Sequence, residues 1–150
     1  MNRGPGSDRT GLLPDLALGE TGIVGVVGVG IDVVDIERVR RALARTPRFE
    51  HRVFTAAEIE HCRSGPDPES SFAARFAAKE AVLKALGLGI FAAPLNRIEV
   101  VGGGDAAPEL VVDLGPTSAC VARWLLSLSH DGGVAAAVAV AVGKRSTPAP

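Results

Sequence analysis

Residues 70–87, SSFAARFAAKEAVLKALG, restrict the fold of this chain more than any other stretch. Strong helix formers fill the segment, Ser70 or Ser71 stands where an N-cap belongs, and Gly87 stands where a helix stops. The pattern predicts a helix of about four turns. Phe72, Phe76, Glu80 and Lys84 recur four residues apart and form one stripe along it. Taken alone, Glu80 and Lys84 are an ordinary exposed ion pair contributing ~0.2–0.5 kcal/mol. A solvated pair needs no aromatic neighbours, however. With Phe72 and Phe76 directed to the core, Glu80 and Lys84 are expected at the edge of a cleft, with Arg75 and Lys79 on the adjacent side. Such a helix presents a hard-metal ligand and phosphate-binding cations together.

The remaining elements are read around this helix. Residues 23–32, IVGVVGVGID, are β-branched and punctuated by glycine, which suits a buried strand, and the run ends on Asp32. Gly25, Gly28 and Gly30 invite a dinucleotide-binding reading, but the third glycine of that fingerprint would fall at Val33, and its glycines should open a helix. They are better explained as small residues that let a strand lie close to its neighbours. Asp35 is placed to cap a helix whose face Ile36, Val39 and Leu43 is apolar, with Arg38, Arg41 and Arg45 opposite. Thr55 and Glu58 form a capping box, and Phe54 with Ile59 a hydrophobic staple. Strands are expected at residues 97–101 and 109–112 around the turn GGGDAAP, then a short helix near residues 118–123. Two further strands, residues 124–130 and 133–142, are joined through Asp131-Gly132-Gly133. The class is α+β, a long helix on a small antiparallel sheet. Residues 1–22 and 143–150 have no period and are expected to be flexible ends around one folded unit, residues 23–142.

Composition limits the partners. The chain has 150 residues and a net charge of −1, which argues against a dedicated nucleic-acid binder. A chain of this length buries roughly 70% of the surface it exposes unfolded, so a core is available without staples. The two cysteines, Cys62 and Cys120, form no CxxC and suggest neither a disulfide framework nor a zinc site. The longest uncharged apolar run, residues 21–31, is about half of the ~20 residues that span a bilayer, and no signal-peptide pattern opens the chain. A cytoplasmic protein is expected. His130 lies in Ser127-Leu128-Ser129-His130-Asp131, where a Ser-His-Asp triad fails because consecutive strand side chains point to opposite faces. A satisfied histidine at a strand end is the plainer reading. His51 and His61 read as surface residues.

Three segments taken together make a known pattern. Gly28-Val29-Gly30-Ile31-Asp32 with Asp35-Ile36-Glu37-Arg38, then FAARFAAKEAVLKA over residues 72–85, then Ser127-Leu128-Ser129-His130-Asp131, resembles the holo-[acyl-carrier-protein] synthase group of the 4′-phosphopantetheinyl transferases. Order and spacing match over residues 23–142. The resemblance implies the 4′-phosphopantetheinyl transferase-like fold in its short form, which assembles as a homotrimer with sites between neighbouring subunits. It implies transfer of the phosphopantetheine arm of coenzyme A to a serine of an apo acyl carrier protein, with release of adenosine 3′,5′-bisphosphate. Asp32 and Glu80 correspond to Mg²⁺ ligands and, with Lys84, form the implied catalytic set. Lys84 would contact the diphosphate, and Arg75, His130 and Gly87 complete the implied coenzyme A-binding set.

Residues 35–52 carry six arginines against three acids, +6 − 3 = +3, a run that taken alone reads as a solvated face; the resemblance implies that Arg38, with Arg45, would dock the acidic carrier. The carrier could serve fatty-acid synthesis or a polyketide pathway, and the general base is left unassigned. The N-terminal extension, the GGGDAAPEL hairpin and the short segment before Trp124 depart from the family pattern. Two other classes of function remain on the residues alone: a coenzyme A or nucleotide binding module without turnover, and a structural protein whose basic helix binds an acidic partner.

Overall fold

The structure is a computed structural model that describes residues 23–144 apart from residues 91 and 105. Strand β1 (Ile23–Asp35) is followed by helices α1 (Ile36–Arg45), α2 (Pro47–Val53), α3 (Ala56–Ser64) and α4 (Pro68–Ala85). Then come strands β2 (Ile98–Val101), β3 (Glu109–Val112), β4 (Val121–Asp131) and β5 (Val134–Lys144). The main sheet is antiparallel with the order β1-β5-β4, and β2 and β3 form a separate antiparallel ribbon. The expected flexible ends lie outside the described residues, except that Gly143 and Lys144 extend β5 and pair with Gly25 and Ile23.

The long helix packs on the face of the sheet where β1 and β5 carry mostly glycine and alanine, and β4 adds Trp124, Leu126 and Leu128 to the same face, partly buried against the core. Gly28 and Gly30 of β1 face α4, and β5 contributes Ala135, Ala137, Ala139 and Ala141, all buried. A Cβ placed on Gly28 would lie 2.0 Å from the carbonyl oxygen of Ala85, and one on Gly30 1.9 Å from that of Ala81. The glycines are therefore the contact surface for a helix, as the close-approach reading expects. Phe54, Phe72, Val82, Leu83, Ile98 and Val100 fill the core on the far side of α4.

Several expectations are borne out at the level of single caps. The Asp35 side chain accepts the Arg38 N–H at 2.8 Å, and Thr55 with Glu58 forms the capping box. The Asp131–Gly133 turn joins β4 and β5, with Gly132 and Gly133 at φ +55 and +85.

Other boundaries need correction. Helix α4 begins at Pro68 and is capped by Asp67, whose side chain accepts the Ser70 N–H at 3.1 Å, so neither Ser70 nor Ser71 is the cap. Proline at the first helical position needs no N–H donor there, which lets the SGPDPE segment lead straight into the helix. The arginine-rich segment is split at Thr46 into α1 and α2, again with proline opening the second helix. The short helix expected near residues 118–123 is a 3₁₀ turn, Gly115–Ser118, and β4 already starts at Val121. Strand β1 is buried on one face only: Val27, Val29, Ile31 and Val33 are 54–61% exposed. Alternation of side chains along the strand puts these four on the face opposite α4.

Candidate functional site

Asp32 lies two residues beyond Gly30 on β1 and so points to the same side of the sheet, toward the second half of α4. Glu80 and Lys84, one turn apart on α4, meet it there. Lys84 Nζ donates to Asp32 Oδ1 at 2.8 Å and to the carbonyl of Ile31 at 3.0 Å. Glu80 is buried at 4% exposure, and its Oε1 has no hydrogen-bond partner. Burial pushes the Glu80 carboxyl up to about 7, the Asp32 charge adds to this, and Lys84 opposes it. An unpartnered buried carboxylate oxygen is costly unless something binds it.

Asp32 and Glu80 line one cavity of about 260 Å³, together with Asp35 and Arg38 of the β1–α1 junction, Phe49, Phe76 and Ile90. Phe49 and Phe76 rest against each other with ring centroids 6.2 Å apart. The stripe read from the sequence thus forms, from the core residue Phe72 through Phe76 and Glu80 at the cavity to Lys84, which holds the cavity-lining Asp32. Among the described residues no cluster of three His, Cys, Asp or Glu side chains exists, so the donor set here is two carboxylates. Oxygen donors of this kind suit a hard divalent cation that keeps waters or binds substrate oxygens at its other positions.

The other expected site residues are placed apart from this cavity. Arg75 is buried in the first half of α4, where Nη1 donates to Ser71 Oγ at 2.9 Å and Nη2 to the carbonyl of Gly102 at 2.7 Å, while Nε has no partner. His130 is exposed near the end of β4. Gly87 is exposed just beyond α4, at φ +70. His51 and His61 are exposed, as expected.

Lys79 requires correction. It is not at the cleft edge beside Glu80 but fully buried, 2.7 Å from Glu58 on the far side of the helix. Sequence reading also passed over Asp35, Phe49 and Ile90 as cavity walls. Their common signal, proximity to the β1–α1 junction and to the α4 C-terminus, exists only once the sheet is formed.

On α1 the arginines divide into two groups. Arg40 is paired with Glu37 at 2.6 Å and Arg41 lies 3.9 Å from the same carboxylate. Among the described residues Arg38 and Arg45 make no ion pair, and both are exposed.

The chain is matched over residues 28–140 by the model of the 4′-phosphopantetheinyl transferase superfamily. It is 51% identical over 125 residues to the holo-[acyl-carrier-protein] synthase of Salinispora arenicola, covering 77% of this chain and 98% of that protein. The crystal structure of the Helicobacter pylori holo-[acyl-carrier-protein] synthase in complex with coenzyme A is similar at a TM-score of 0.66 and 32% identity, covering 75% of this chain and 98% of that one. A Bacillus anthracis holo-(acyl-carrier-protein) synthase in complex with CoA (3′,5′-ADP) is similar at a TM-score of 0.67 and 30% identity, covering 81% of this chain and 100% of that one. Agreement of sequence and fold over nearly the whole length of these relatives means that the chain belongs to the 4′-phosphopantetheinyl transferase superfamily and is a transferase.

Proposed function

We propose that the chain transfers the 4′-phosphopantetheine group of coenzyme A to a serine hydroxyl of an apo acyl carrier protein, releasing adenosine 3′,5′-bisphosphate. The observation that carries this reading at the atomic level is the unpartnered, buried Oε1 of Glu80 beside Asp32, with Lys84 at the same point. The relatives that carry the holo-[acyl-carrier-protein] synthase name, two of them with coenzyme A or its nucleotide bound, support the substrate class.

In the reaction the serine oxygen forms a bond to the phosphorus that bears pantetheine. The bond from that phosphorus to the bridging diphosphate oxygen breaks, and the serine proton is lost. The barrier is set by negative charge on the phosphoryl oxygens and by alignment of the hydroxyl. Asp32 and Glu80 fit Mg²⁺, which keeps part of its hydration shell and takes one or two carboxylates plus substrate phosphate oxygens. When bound, the ion supplies positive charge to the diphosphate. Lys84, about half exposed, holds Asp32 and is free to swing its ammonium to a diphosphate oxygen. Glu80 and Asp32 are the carboxylates at the reacting centre, so the serine proton leaves to one of them or to a water they hold.

Recognition of the carrier falls to Arg38, which lines the cavity itself, and to Arg45, about two turns further along the same face of α1. An acidic partner drawn to these two unpaired guanidinium groups would present its serine to the cavity mouth. Arg75 and His130 stand apart from Glu80 on one chain, and the exposed β1 face offers a surface for further copies. A homotrimer in which neighbouring subunits complete the coenzyme A site accounts for both features. The setting is the cytoplasm, and among the described residues no helix is long and apolar enough to cross a membrane.

Asp32→Ala should retain the wild-type circular dichroism spectrum and lose nearly all transfer activity with coenzyme A, Mg²⁺ and apo carrier. Full activity in this variant would remove Asp32 from the reaction.

A further inference from the structure

Lys79 precedes Glu80 in α4 but turns away from the cavity, and both it and its partner Glu58 of α3 are buried to within 1% of complete. Each donor of the ammonium has an acceptor: Nζ donates to Glu58 Oε2 at 2.7 Å, to the carbonyl of Leu95 at 3.1 Å, and to the carbonyl of Ile98. Glu58 is equally committed. Its Oε2 also accepts the Thr55 N–H at 2.9 Å, and its Oε1 accepts the Val100 N–H at 2.9 Å. The Phe54 ring centroid lies 5.6 Å from the ammonium. One buried ion pair therefore joins the start of α3, the middle of α4, the 3₁₀ turn Leu95–Arg97 and strand β2.

A satisfied pair of this kind is weak evidence for stability, because well-packed apolar residues of similar volume often serve as well or better. Its distinctive contribution is direction, since hydrogen bonds fix an angle and a register that apolar contact leaves adjustable. Successive residues of a helix are rotated by roughly 100° about its axis, so an anchor on Lys79 sets the direction in which Glu80 leaves the helix. On its other flank α4 rests on the bare backbone of Gly28 and Gly30, which leaves it no room to move toward the sheet. The helix is held between these two contacts, and Glu80 emerges between them toward Asp32. The same ammonium holds the carbonyls at the end of the α4–β2 connection, whose Ile90 is a cavity wall.

We propose that Glu58 and Lys79 are positioning residues that fix the orientation of Glu80 toward Asp32, and thereby the affinity of the carboxylate pair for its divalent cation. The proposal rests on the reading of Asp32 and Glu80 as the cation's ligands. Neither Glu58 nor Lys79 touches substrate or cation; both act through the set of α4.

The test is direct Mn²⁺ binding by the full chain without coenzyme A, followed by electron paramagnetic resonance of the free ion, with Mn²⁺ standing in for Mg²⁺ at an all-oxygen site. Wild type, Asp32→Ala, Glu58→Gln and the double variant Glu58→Gln with Lys79→Met are compared. The double variant removes both charges at nearly constant volume, so no unpaired charge is left buried. The expected result is roughly tenfold weaker binding in the folded double variant, the size seen when groups that orient metal ligands are replaced. A smaller loss in the same direction is expected in Glu58→Gln. A folded double variant that binds Mn²⁺ within about twofold of wild type overturns the proposal and leaves the pair a purely structural one. Should the double variant not fold, Glu58→Gln decides by the same criterion. Identical binding by wild type and Asp32→Ala is a separate outcome, which removes the ligand reading itself and this proposal with it.

Discussion

A carboxyl group pushed up to about 7 by burial and by a second carboxylate resists ionisation, and the fold must supply the work of charging it. Because this value lies above the ordinary 4.5, the folded chain binds more protons than the unfolded chain between the two. Stability from this group is present at low pH, is lost as pH rises through about 7, and does not change further above it. A shift from 4.5 to about 7 corresponds to at most about 3 kcal/mol. Glu80→Gln should therefore match wild type in urea unfolding at about pH 4 and exceed it by up to that amount at about pH 8, both without Mg²⁺. Adding Mg²⁺ should stabilise wild type and leave the variant unchanged. A constant difference between the two proteins across pH would contradict the assignment of Glu80.

The spacing of Glu80 and Lys84 on one stripe was readable from the helix alone. Which face Lys79 took was not. Two adjacent charges on a helix look alike in sequence, and the partner that buries Lys79 lies 21 residues away. Glu58 concealed its second role because the capping box explains it completely on local grounds.

At the scale of elements, the β1–α4 contact is what carries Asp32 to Glu80. A methyl group at Gly30 would overlap the Ala81 carbonyl, which is helix backbone and cannot rotate aside. Gly30→Ala should cost roughly 3 kcal/mol or more in urea unfolding, at the upper end of overpacking penalties. Gly89→Ala, with nothing within 4 Å of the added carbon, should stay within about 0.5 kcal/mol of wild type. Equal effects would mean that the close approach is not a constraint.

The elements themselves were legible wherever a local device marks them, as at Asp35, Thr55 and the Gly132-Gly133 turn. Boundaries were lost where proline opened a helix earlier than the serines suggested, at Pro68, and where Pro47 started a second helix inside the arginine-rich segment. The short segment after Leu114 offers too few residues for α-helix before β4 must begin, and the 3₁₀ turn at Gly115–Ser118 is the result.

On the scale of the whole molecule, the sheet is covered by α4 on one face and, among the described residues, left open on the other. Val27, Val29, Ile31 and Val33 on β1 are joined there by Leu125 and Val134, an apolar surface of the kind that marks an interface between chains. This was not visible as exposure in the sequence, where an apolar strand reads as buried whether its second layer comes from the same chain or from another. Ile31→Glu places a charge at the centre of that surface. If the proposed homotrimer forms through this surface, the variant should shift the mass measured by sedimentation equilibrium from trimer to monomer and lower transfer activity in parallel. A monomeric variant with full activity would show that one chain holds a complete site.

The most direct measurement is the intact mass of an apo acyl carrier protein after incubation with this chain, coenzyme A and Mg²⁺. The account predicts that the carrier gains one phosphopantetheine group on its serine and that adenosine 3′,5′-bisphosphate appears in equal amount. An unchanged carrier mass across a panel of apo carriers from fatty-acid and polyketide systems, with the chain folded and binding coenzyme A, would contradict it.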